Sequence, residues 1–187
     1  MNLGHTMNSV KNRGKPKDVF YTPVVLAKKH IAMIEAREGD IWYDDSAGKM
    51  AYFDNFPTQN KYFSEITKGK NLFHFSKDVD IIIGNPPYSI LTDVMLKSIS
   101  LNPRIISYLI GQQNFTPHRL KLMKDNGYGL IKIHICKVRG FFGYSYICIW
   151  EKNKDDIIDY ETQNYYGDFP LCPHLDKYGN LKKQKNK

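Results

Sequence analysis

Cysteine is scarce in this chain and is not arranged as a ligand set. The 187 residues include only Cys136, Cys148 and Cys172, with no Cys-x-x-Cys pair. That spacing argues against a disulfide framework and against a zinc site, and it fits a reducing compartment. Cys172 and His174 are near enough in sequence to share a metal, but an ordinary loop pair is the simpler interpretation. We therefore predict no metal site.

Long apolar runs are also missing. No segment approaches the roughly 18 apolar residues that span a bilayer, and the N-terminus lacks the apolar core of a signal peptide. A composition of 42% hydrophobic and 25% charged residues is typical of a globular domain with a buried core. We expect a cytoplasmic protein, in a bacterium or in the host cell of a virus, without a membrane partner.

Acidic residues are rare at both ends of the chain. Residues 1–17 carry four basic side chains and no acid, and residues 176–187 carry five lysines against one aspartate. Each end is therefore +4, which accounts for the whole net charge of +8. Such ends are typical of arms that contact phosphate, and equally of solubilising tails. We predict a basic arm at 1–17, a catalytic domain at 18–151, and a C-terminal extension with a lysine-rich tail at 152–187.

Short apolar runs alternate with amphipathic segments through the middle of the chain. They predict strands at 41–43, 61–66, 79–84, 104–110, 129–136 and 144–150. Thr22, followed by Pro23, predicts the start of a helix that reaches about Arg37. Further helices are predicted at 90–99, capped by Ser89, and at 118–125. This alternation favours an α/β sheet with helices on both faces and an antiparallel final pair of strands.

The most informative segment is Asn85-Pro86-Pro87-Tyr88, which follows the apolar run 79–84. A buried strand has no reason of its own to end in this way. The two prolines fix φ and remove two backbone donors, so they cannot continue the strand pairing. Their carbonyls remain as acceptors beside an Asn carbonyl and a flat ring. This combination suits a planar amino group that is held by acceptors and covered by an aromatic face.

Three weaker patterns accompany this segment. Asp44-Asp45-Ser46-Ala47-Gly48 follows the first predicted strand, and Glu65 follows 21 residues after Asp44. Small residues after a strand, with an acid about 20 residues on, are typical of a nucleotide site, although a plain turn and a strand-end charge give the same pattern. The segment Phe20-Tyr21-Thr22-Pro23 is typical of a helix start with aromatic residues packed beside it. Residues 139–144 place paired aromatics between glycines, either as ordinary core or as an exposed loop whose ring stacks on an unstacked base.

Together these motifs resemble those of the N6-adenine DNA methyltransferases with an Asn-Pro-Pro-Tyr motif, in the order called the γ arrangement. The resemblance covers about residues 18–151 and implies a Rossmann-like class I methyltransferase fold. The implied sheet is mostly parallel and seven-stranded, with an antiparallel closing strand, and the implied cofactor is S-adenosylmethionine. The implied cofactor-binding residues are Tyr21, Thr22, Pro23, Asp44, Ser46, Ala47, Gly48, Glu65, Asn71, Leu72 and Asn85.

The resemblance also implies the catalytic chemistry. The catalytic residues are Asn85, Pro86, Pro87 and Tyr88, and the base-stacking residues are Tyr88, Phe141 and Phe142. The Asn85 side-chain oxygen and the Pro86 carbonyl would accept both amino hydrogens of an adenine flipped out of DNA. The chain departs from the family pattern at three positions: Asp45 replaces a proline, Met50 replaces a glycine and Asn71 replaces an aspartate.

The expected activity is site-specific methylation of adenine N6 in DNA, as in restriction–modification systems. Only about 36 residues follow the last predicted strand, too few for a target-recognition domain. Sequence choice would then come from short loops, a homodimer or a separate recognition subunit. Two alternatives remain open: an enzyme that methylates a protein glutamine or a base of ribosomal RNA, and a non-catalytic methyltransferase-like subunit.

Overall fold

The computed structural model describes residues 20–162. The basic arm, the lysine-rich tail, and Cys172 with His174 lie outside the described residues. In chain order the helices and strands are α1 Val24–Ile31, β1 Trp42–Asp44, β2 Lys61–Phe63, β3 Ile81–Gly84, α2 Leu91–Ser100, β4 Ile105–Gly111, α3 Pro117–Asp125, β5 Tyr128–Cys136 and β6 Ser145–Lys152. In this part of the chain, no helix has the length and apolar character needed to cross a membrane.

The strands form one sheet in the order β2-β1-β3-β4-β6-β5. The first four strands pair in parallel, and β6 runs antiparallel to both β4 and β5. The α/β class and the antiparallel closing pair are confirmed. Residues 20–162 contribute six strands to the sheet, one fewer than the seven that the family resemblance implies.

The ends of several elements differ from the sequence expectations. Pro23, not Thr22, stands at the N-cap of α1, and the helix ends at Ile31. The chain turns there and is held further on by the Asp40 carboxylate, which accepts a hydrogen bond of 2.7 Å from the backbone N–H of Arg37. Ser89 does not cap α2, because a 3-10 turn over Tyr88–Ile90 leads directly into that helix.

The core lies on both faces of the sheet because successive strand residues point to opposite faces. Ile82 packs with Met95 of α2 on one face, whereas Ile81 and Ile83 pack with Ile31 of α1 on the other. These three isoleucines of β3 are each 0% exposed. Burying each side chain stabilises the fold by about 1.5–3 kcal/mol. The end of β3 is therefore a fixed place from which to present a side chain.

The connections out of β1 and β3 bring two loops together. The strand order reverses at β1, with β2 on one side and β3 on the other. In open α/β sheets such a reversal opens a crevice at the carboxyl ends of the strands, where ligands bind. Asp44 pairs with Ile83 in the register of the two strands. The loop that begins at Asp45 therefore lies beside the one that begins at Asn85.

The described part of the C-terminal extension packs on the sheet. The backbone N–H of Ile157 donates to the Leu130 carbonyl at 2.9 Å, and Asp156 accepts a hydrogen bond of 2.7 Å from the Leu130 N–H. Ile158 and Tyr160 pack against the core cluster on one face of the sheet. Residues 153–160 thus continue the fold of the domain beyond β6.

Candidate functional site

The Asn85 side chain is held by the segment that precedes α1. Its Nδ2 donates a hydrogen bond of 2.8 Å to the main-chain carbonyl of Phe20. Only the nitrogen of an amide can donate to a carbonyl, so this bond fixes which way round the amide lies. The acceptor, Oδ1, is left on the opposite side. Asn85 lines a small cavity together with Phe20, Pro86 and Tyr88.

The Tyr88 ring packs against the end of β4. A Cβ added to Gly111 would lie 3.1 Å from the ring, so a larger residue there would push the ring by a few tenths of an ångström. Tyr88 is half-buried and lines the same cavity as Asn85. The first helical turn after the two prolines thus directs the ring back across the Asn85 loop. All four residues of the predicted catalytic motif meet at the carboxyl end of β3 and β4.

The loop after β1 has the backbone of a glycine-rich loop. Gly48 has φ +49°, and a Cβ there would lie 3.3 Å from the Tyr21 ring. Lys49 Nζ lies 4.4 Å from the centroid of the same ring. Met50, where the family pattern has glycine, also has a positive φ of 67°. The left-handed conformation is therefore kept at position 50 although the residue is not glycine.

Glu65 joins this loop to the region after β2. Its Oε2 accepts a hydrogen bond of 2.7 Å from the Gly48 N–H. Its Oε1 accepts from both the backbone N–H and the hydroxyl of Thr67, at 2.9 and 2.7 Å. Partial burial acts to raise the pKa of Glu65, but these hydrogen bonds outweigh it and hold the pKa below the ordinary value. A carboxylate that stays charged thus lies next to the β1 loop.

Asn71 and Leu72 follow on from Glu65. Asn71 caps the 3-10 helix Leu72–His74, with its Oδ1 accepting a hydrogen bond of 3.0 Å from the Phe73 N–H. Leu72 is half-buried and packs against the core. An antiparallel β-bridge pairs Glu65 with Lys70, the residue before Asn71, so Asn71 lies near Glu65 in space. The amide oxygen at position 71 is therefore used by its own backbone turn.

Two aspartates at the end of β1 are fully enclosed. Asp44 is 0% exposed, and its carboxylate accepts hydrogen bonds from the backbone N–H groups of Ser46 and Phe53, at 3.4 and 3.2 Å. Burial, with the neighbouring Asp45 as a second cause, raises the pKa of Asp44 well above its ordinary value. Asp44 shapes the loop from within, and its carboxylate does not face solvent.

Asp45 connects four elements around the end of β3. Its carboxylate accepts hydrogen bonds from the Tyr108 hydroxyl at 2.5 Å and the Ser46 hydroxyl at 2.9 Å, and Ser98 Oγ lies 3.5 Å away. A Cβ on Gly84 would lie 2.5 Å from Asp45 Oδ1. Burial raises the pKa of the Asp45 carboxyl to about 6. The carboxylate therefore ties the β1 loop to the residue that precedes Asn85.

Residues 137–144, which we call the aromatic loop, connect β5 to β6. Phe141 lies inward, with its ring centroid 5.0 Å from that of Phe20. Phe142 lies outward and is 71% exposed. Of the two aromatics predicted to stack on a base, Phe141 therefore contacts Phe20, which lines the Asn85 cavity, and Phe142 lies at the surface of the loop.

A buried polar chain supports the segment before α1. The His30 ring, 0% exposed, hydrogen-bonds the Tyr52 hydroxyl at 2.9 Å and the Ser107 hydroxyl at 2.6 Å. The Thr22 side chain also hydrogen-bonds Tyr52. Burial, with His134 as a smaller cause, lowers the pKa of His30 to about 3, so the ring is neutral. Thr22 is thereby anchored to the sheet through hydrogen bonds that do not titrate near neutral pH.

Sequence reasoning missed three features of the site. It assigned no role to the Phe20 carbonyl, because a main-chain contact over 65 residues leaves no residue-type signal. It missed the buried His30 chain because the side-chain partners Tyr52 and Ser107 are 22 and 77 residues away in the sequence. It noted Asp45 only as a departure from the family proline, although a charged residue between two buried strand-end positions is itself a signal of buried partners. Within residues 20–162, no group of three or more His, Cys, Asp or Glu is placed to hold a metal.

Comparisons with known proteins support the fold. No family model and no curated protein matches the sequence. A solved structure described as an RNA methyltransferase from Pyrococcus horikoshii has 18% identity and a TM-score of 0.58, covering 74% of this chain and 90% of its own. Precorrin-6y C5,15-methyltransferase from Geobacter metallireducens has 11% identity and a TM-score of 0.50, covering 74% and 92%.

A third structure contains ligands. It is 1,6-didemethyltoxoflavin-N1-methyltransferase from Burkholderia thailandensis, solved with 1,6-didemethyltoxoflavin and S-adenosylhomocysteine bound. It has 10% identity and a TM-score of 0.50, covering 68% of this chain and 79% of its own. Sequence identities this low support a shared fold only, so the chemistry has to be argued from the residues of the site. The chain has the Rossmann-like α/β fold of the class I methyltransferases.

Proposed function

We propose that this chain transfers a methyl group from S-adenosylmethionine to the exocyclic amino group of adenine in a nucleic acid. The observation that carries the proposal is the Asn85 amide, whose orientation is set by the Phe20 carbonyl beside Pro86 and Tyr88. Acceptors at a strand end, next to a half-buried ring, have no structural purpose in closing a sheet. They match an NH₂ group whose two N–H donors must each be held by an acceptor.

The β1 loop and Glu65 fit the cofactor. Glu65 keeps its charge and lies against Gly48, so a carboxylate is placed to accept hydrogen bonds from a ribose diol bound at the strand ends. The Tyr21 ring packs on Gly48 and is 49% exposed, which leaves an apolar face at the same edge. When bound, S-adenosylmethionine supplies an electrophilic methyl group on a sulfonium. Asn71 and Leu72 would border its adenine, and Ser46, Ala47, Thr22 and Pro23 its other end.

The residues of the catalytic loop act on the nucleophile. The lone pair of an adenine amino group is delocalised into the ring, which makes the nitrogen a weak nucleophile. Asn85 Oδ1 and the Pro86 carbonyl would each accept a hydrogen bond from one of its two N–H groups and so favour a pyramidal nitrogen with a directed lone pair. Formation of the N–CH₃ bond would break the S–CH₃ bond of the donor, and the surplus proton on the nitrogen would pass to water. The Tyr88 ring would lie against one face of the base and Phe141 against the other. Positioning supplies most of the acceleration, since the leaving group is already activated.

The kind of nucleic acid separates two candidates. The motif order favours DNA, with target choice supplied by a second copy or a separate subunit in the same cytoplasmic compartment. The Pyrococcus horikoshii structure, with the TM-score of 0.58, is described as an RNA methyltransferase, and this favours RNA. The chemistry of an adenine amino group is the same in both, so the site residues and their roles do not change between the candidates.

The proposal is tested by identifying the product. The protein is incubated with S-adenosylmethionine carrying a labelled methyl group and, separately, with DNA strands, duplex DNA, RNA and a mixture of proteins. We expect label in N6-methyladenine after digestion of at least one nucleic acid, and a rate of labelling lower by roughly 10²–10³ with Asn85→Ala. Label in methylglutamine, or no transfer to any nucleic acid, would overturn the proposal. Label from RNA alone would select the RNA candidate.

A further inference from the structure

The β5–β6 hairpin is basic. Residues 128–152 carry Lys132, Lys137, Arg139 and Lys152 against a single acid, Glu151 near the end of β6, whereas residues 18–175 as a whole are formally neutral. Lys137 and Arg139 are exposed and lie in the aromatic loop at the tip of the hairpin. Because the charge of the domain is balanced elsewhere, the tip has a local positive potential that favours a polyanion.

The aromatic loop is held in one shape. Lys137 Nζ donates to the Gly143 carbonyl at 2.6 Å, and the Phe141 N–H donates to the Val138 carbonyl at 3.1 Å. Gln112 fastens the end of the loop to β4, since its N–H donates to the Tyr144 carbonyl at 2.9 Å. Val138 is buried and anchors the loop from beneath. The loop is therefore ordered before any ligand arrives, which lowers the entropy lost on binding.

Two aromatic residues face outward from this ordered loop. Phe142 is 71% exposed and Tyr144 is 56% exposed. Lys137 Nζ lies 5.7 Å from the centroid of the Tyr144 ring, so cation and ring are side by side. Exposed rings that contribute little to the core, interleaved with cations, are the arrangement by which proteins hold unpaired nucleotides: rings stack on base faces and cations contact phosphates.

The aromatic loop is continuous with the Asn85 cavity. Gln112 follows Gly111, whose Cα packs on the Tyr88 ring, and the same Gln112 holds Tyr144. At the other side of the loop the Phe141 ring reaches Phe20, whose carbonyl holds Asn85. A chain of nucleotides with one base in the cavity would therefore pass directly over the loop.

We propose that the aromatic loop binds the unpaired nucleotides that flank the target adenine. Tyr144 and Phe142 stack on their bases, and Lys137 and Arg139 contact their phosphates. The partner is a single strand, because a duplex covers the base faces that the rings would stack on. This inference rests on the proposed function and names its substrate as an unpaired strand, of DNA or of RNA.

The test is a binding measurement that needs no methyl transfer. Fluorescence anisotropy of the full chain is recorded with a labelled 20-nucleotide DNA strand of mixed sequence, the RNA strand of the same sequence, and the DNA duplex, over a range of salt concentrations. The variants are Tyr144→Ala, Tyr144→Phe, Phe142→Ala and Arg139→Ala. Ile157→Ala, at a similarly exposed position far along the chain, and Lys154→Ala, an exposed cation outside the loop, are the matched controls.

We expect tighter binding of a single strand than of the duplex. Tyr144→Ala should weaken strand binding about 5- to 150-fold, the loss typical of one stacked base, while Tyr144→Phe and Ile157→Ala retain affinity. Arg139→Ala should reduce the slope of log affinity against log salt by about 0.7, and Lys154→Ala should not. Whichever of DNA and RNA binds tighter identifies the strand.

Two outcomes overturn the inference. One is equal or tighter binding of the duplex; the other is unchanged strand binding in both Tyr144→Ala and Phe142→Ala, with thermal unfolding unchanged. If either occurs while the wild-type chain forms N6-methyladenine, the proposed function stands and only the docking surface is wrong. If strand binding depends on Tyr144 but no methyl transfer is found, the binding role of the aromatic loop is supported and the proposed methyltransferase activity is rejected.

Discussion

The main-chain carbonyl of Phe20 and the side-chain amide of Asn85, 65 residues apart, are joined by a hydrogen bond of 2.8 Å. The bond makes the segment before α1 a part of the candidate site. Because the Asn85 Nδ2 already donates to this carbonyl, its Oδ1 is held in a fixed position from which it can accept a hydrogen bond. The Thr22–Tyr52–His30 chain keeps that segment on the sheet, so the orientation of Asn85 is supported from the interior.

Asn85→Ala should lower kcat/KM for methyl transfer by roughly 10²–10³, the typical effect of removing one hydrogen-bonding group that acts on the reacting atoms. The affinity for S-adenosylmethionine should remain nearly unchanged in calorimetric titration. Asn85→Asp should lose activity as well, because a carboxylate oxygen would then face the Phe20 carbonyl. Asn126→Ala, which removes a hydrogen bond of the same length to the Leu122 carbonyl on a distant helix end, is the matched control. Full activity in Asn85→Ala would refute the mechanism.

Glu65→Ala should weaken binding of S-adenosylmethionine by about 10- to 150-fold, because a charged hydrogen bond typically contributes about 1.5–3 kcal/mol. The carboxylate also holds the Gly48 N–H, so the loop itself loses a support. Thr67→Val removes the hydroxyl that orients Oε1 and should have a smaller effect. Calorimetric titration checks both variants, with the exposed Glu38→Ala as control. An unchanged affinity in Glu65→Ala would contradict the ribose role.

Met50→Gly should stabilise the fold. A non-glycine residue in the left-handed region costs about 1–2 kcal/mol, and the added flexibility of glycine in the unfolded chain takes back about 0.4–1 kcal/mol. The net gain in the free energy of unfolding is then at most about 1.6 kcal/mol, measured by chemical denaturation. Lys49→Gly, next to it but without a positive φ, should be destabilising. If both variants lose stability alike, the conformation at position 50 carries no strain.

Asp45→Asn should change how stability depends on pH. Because burial raises the pKa of Asp45 to about 6 from 3.8, the folded chain binds the proton more tightly than the unfolded chain does. Stability of the wild type therefore falls as pH rises between these values and levels off above about 6. A shift of this size corresponds to about 3 kcal/mol. The free energy of unfolding of Asp45→Asn, relative to wild type, should rise by about that amount from pH 4 to pH 7.

Chemical denaturation across that pH range measures the Asp45 effect. Exposed Asp54→Asn is the control for removal of a negative charge. A constant difference between Asp45→Asn and wild type at all pH values would show that the carboxyl does not take up a proton on folding. Asp44, also enclosed, keeps part of the pH dependence in the variant.

The strands could be predicted from sequence because their signal is local. The apolar run 79–84 and the alternation in 129–136 each specify a strand without reference to the rest of the chain. Pro86 and Pro87 likewise indicate where the strand within 79–84 ends. The extent of α1 could not be predicted, since the periodic apolar residues beyond Ile31 pack against the core from a turn and not from a helix.

The contacts that prepare the site depended on distant partners. Nothing near Asp45 in the sequence indicates that Tyr108 will donate to it, and nothing near Phe20 indicates Asn85. Which of Phe141 and Phe142 lies inward was also undetermined, because adjacent loop residues have no fixed period. The roles assigned to these residues remain predictions for the experiments above.

The positive φ of Met50 has a consequence for how loops of this kind are recognised. Glycine adopts this left-handed conformation at little cost, and here a methionine adopts it at the position where the resemblance implies glycine. The turn is therefore set by the contacts around it and not by the residue type alone.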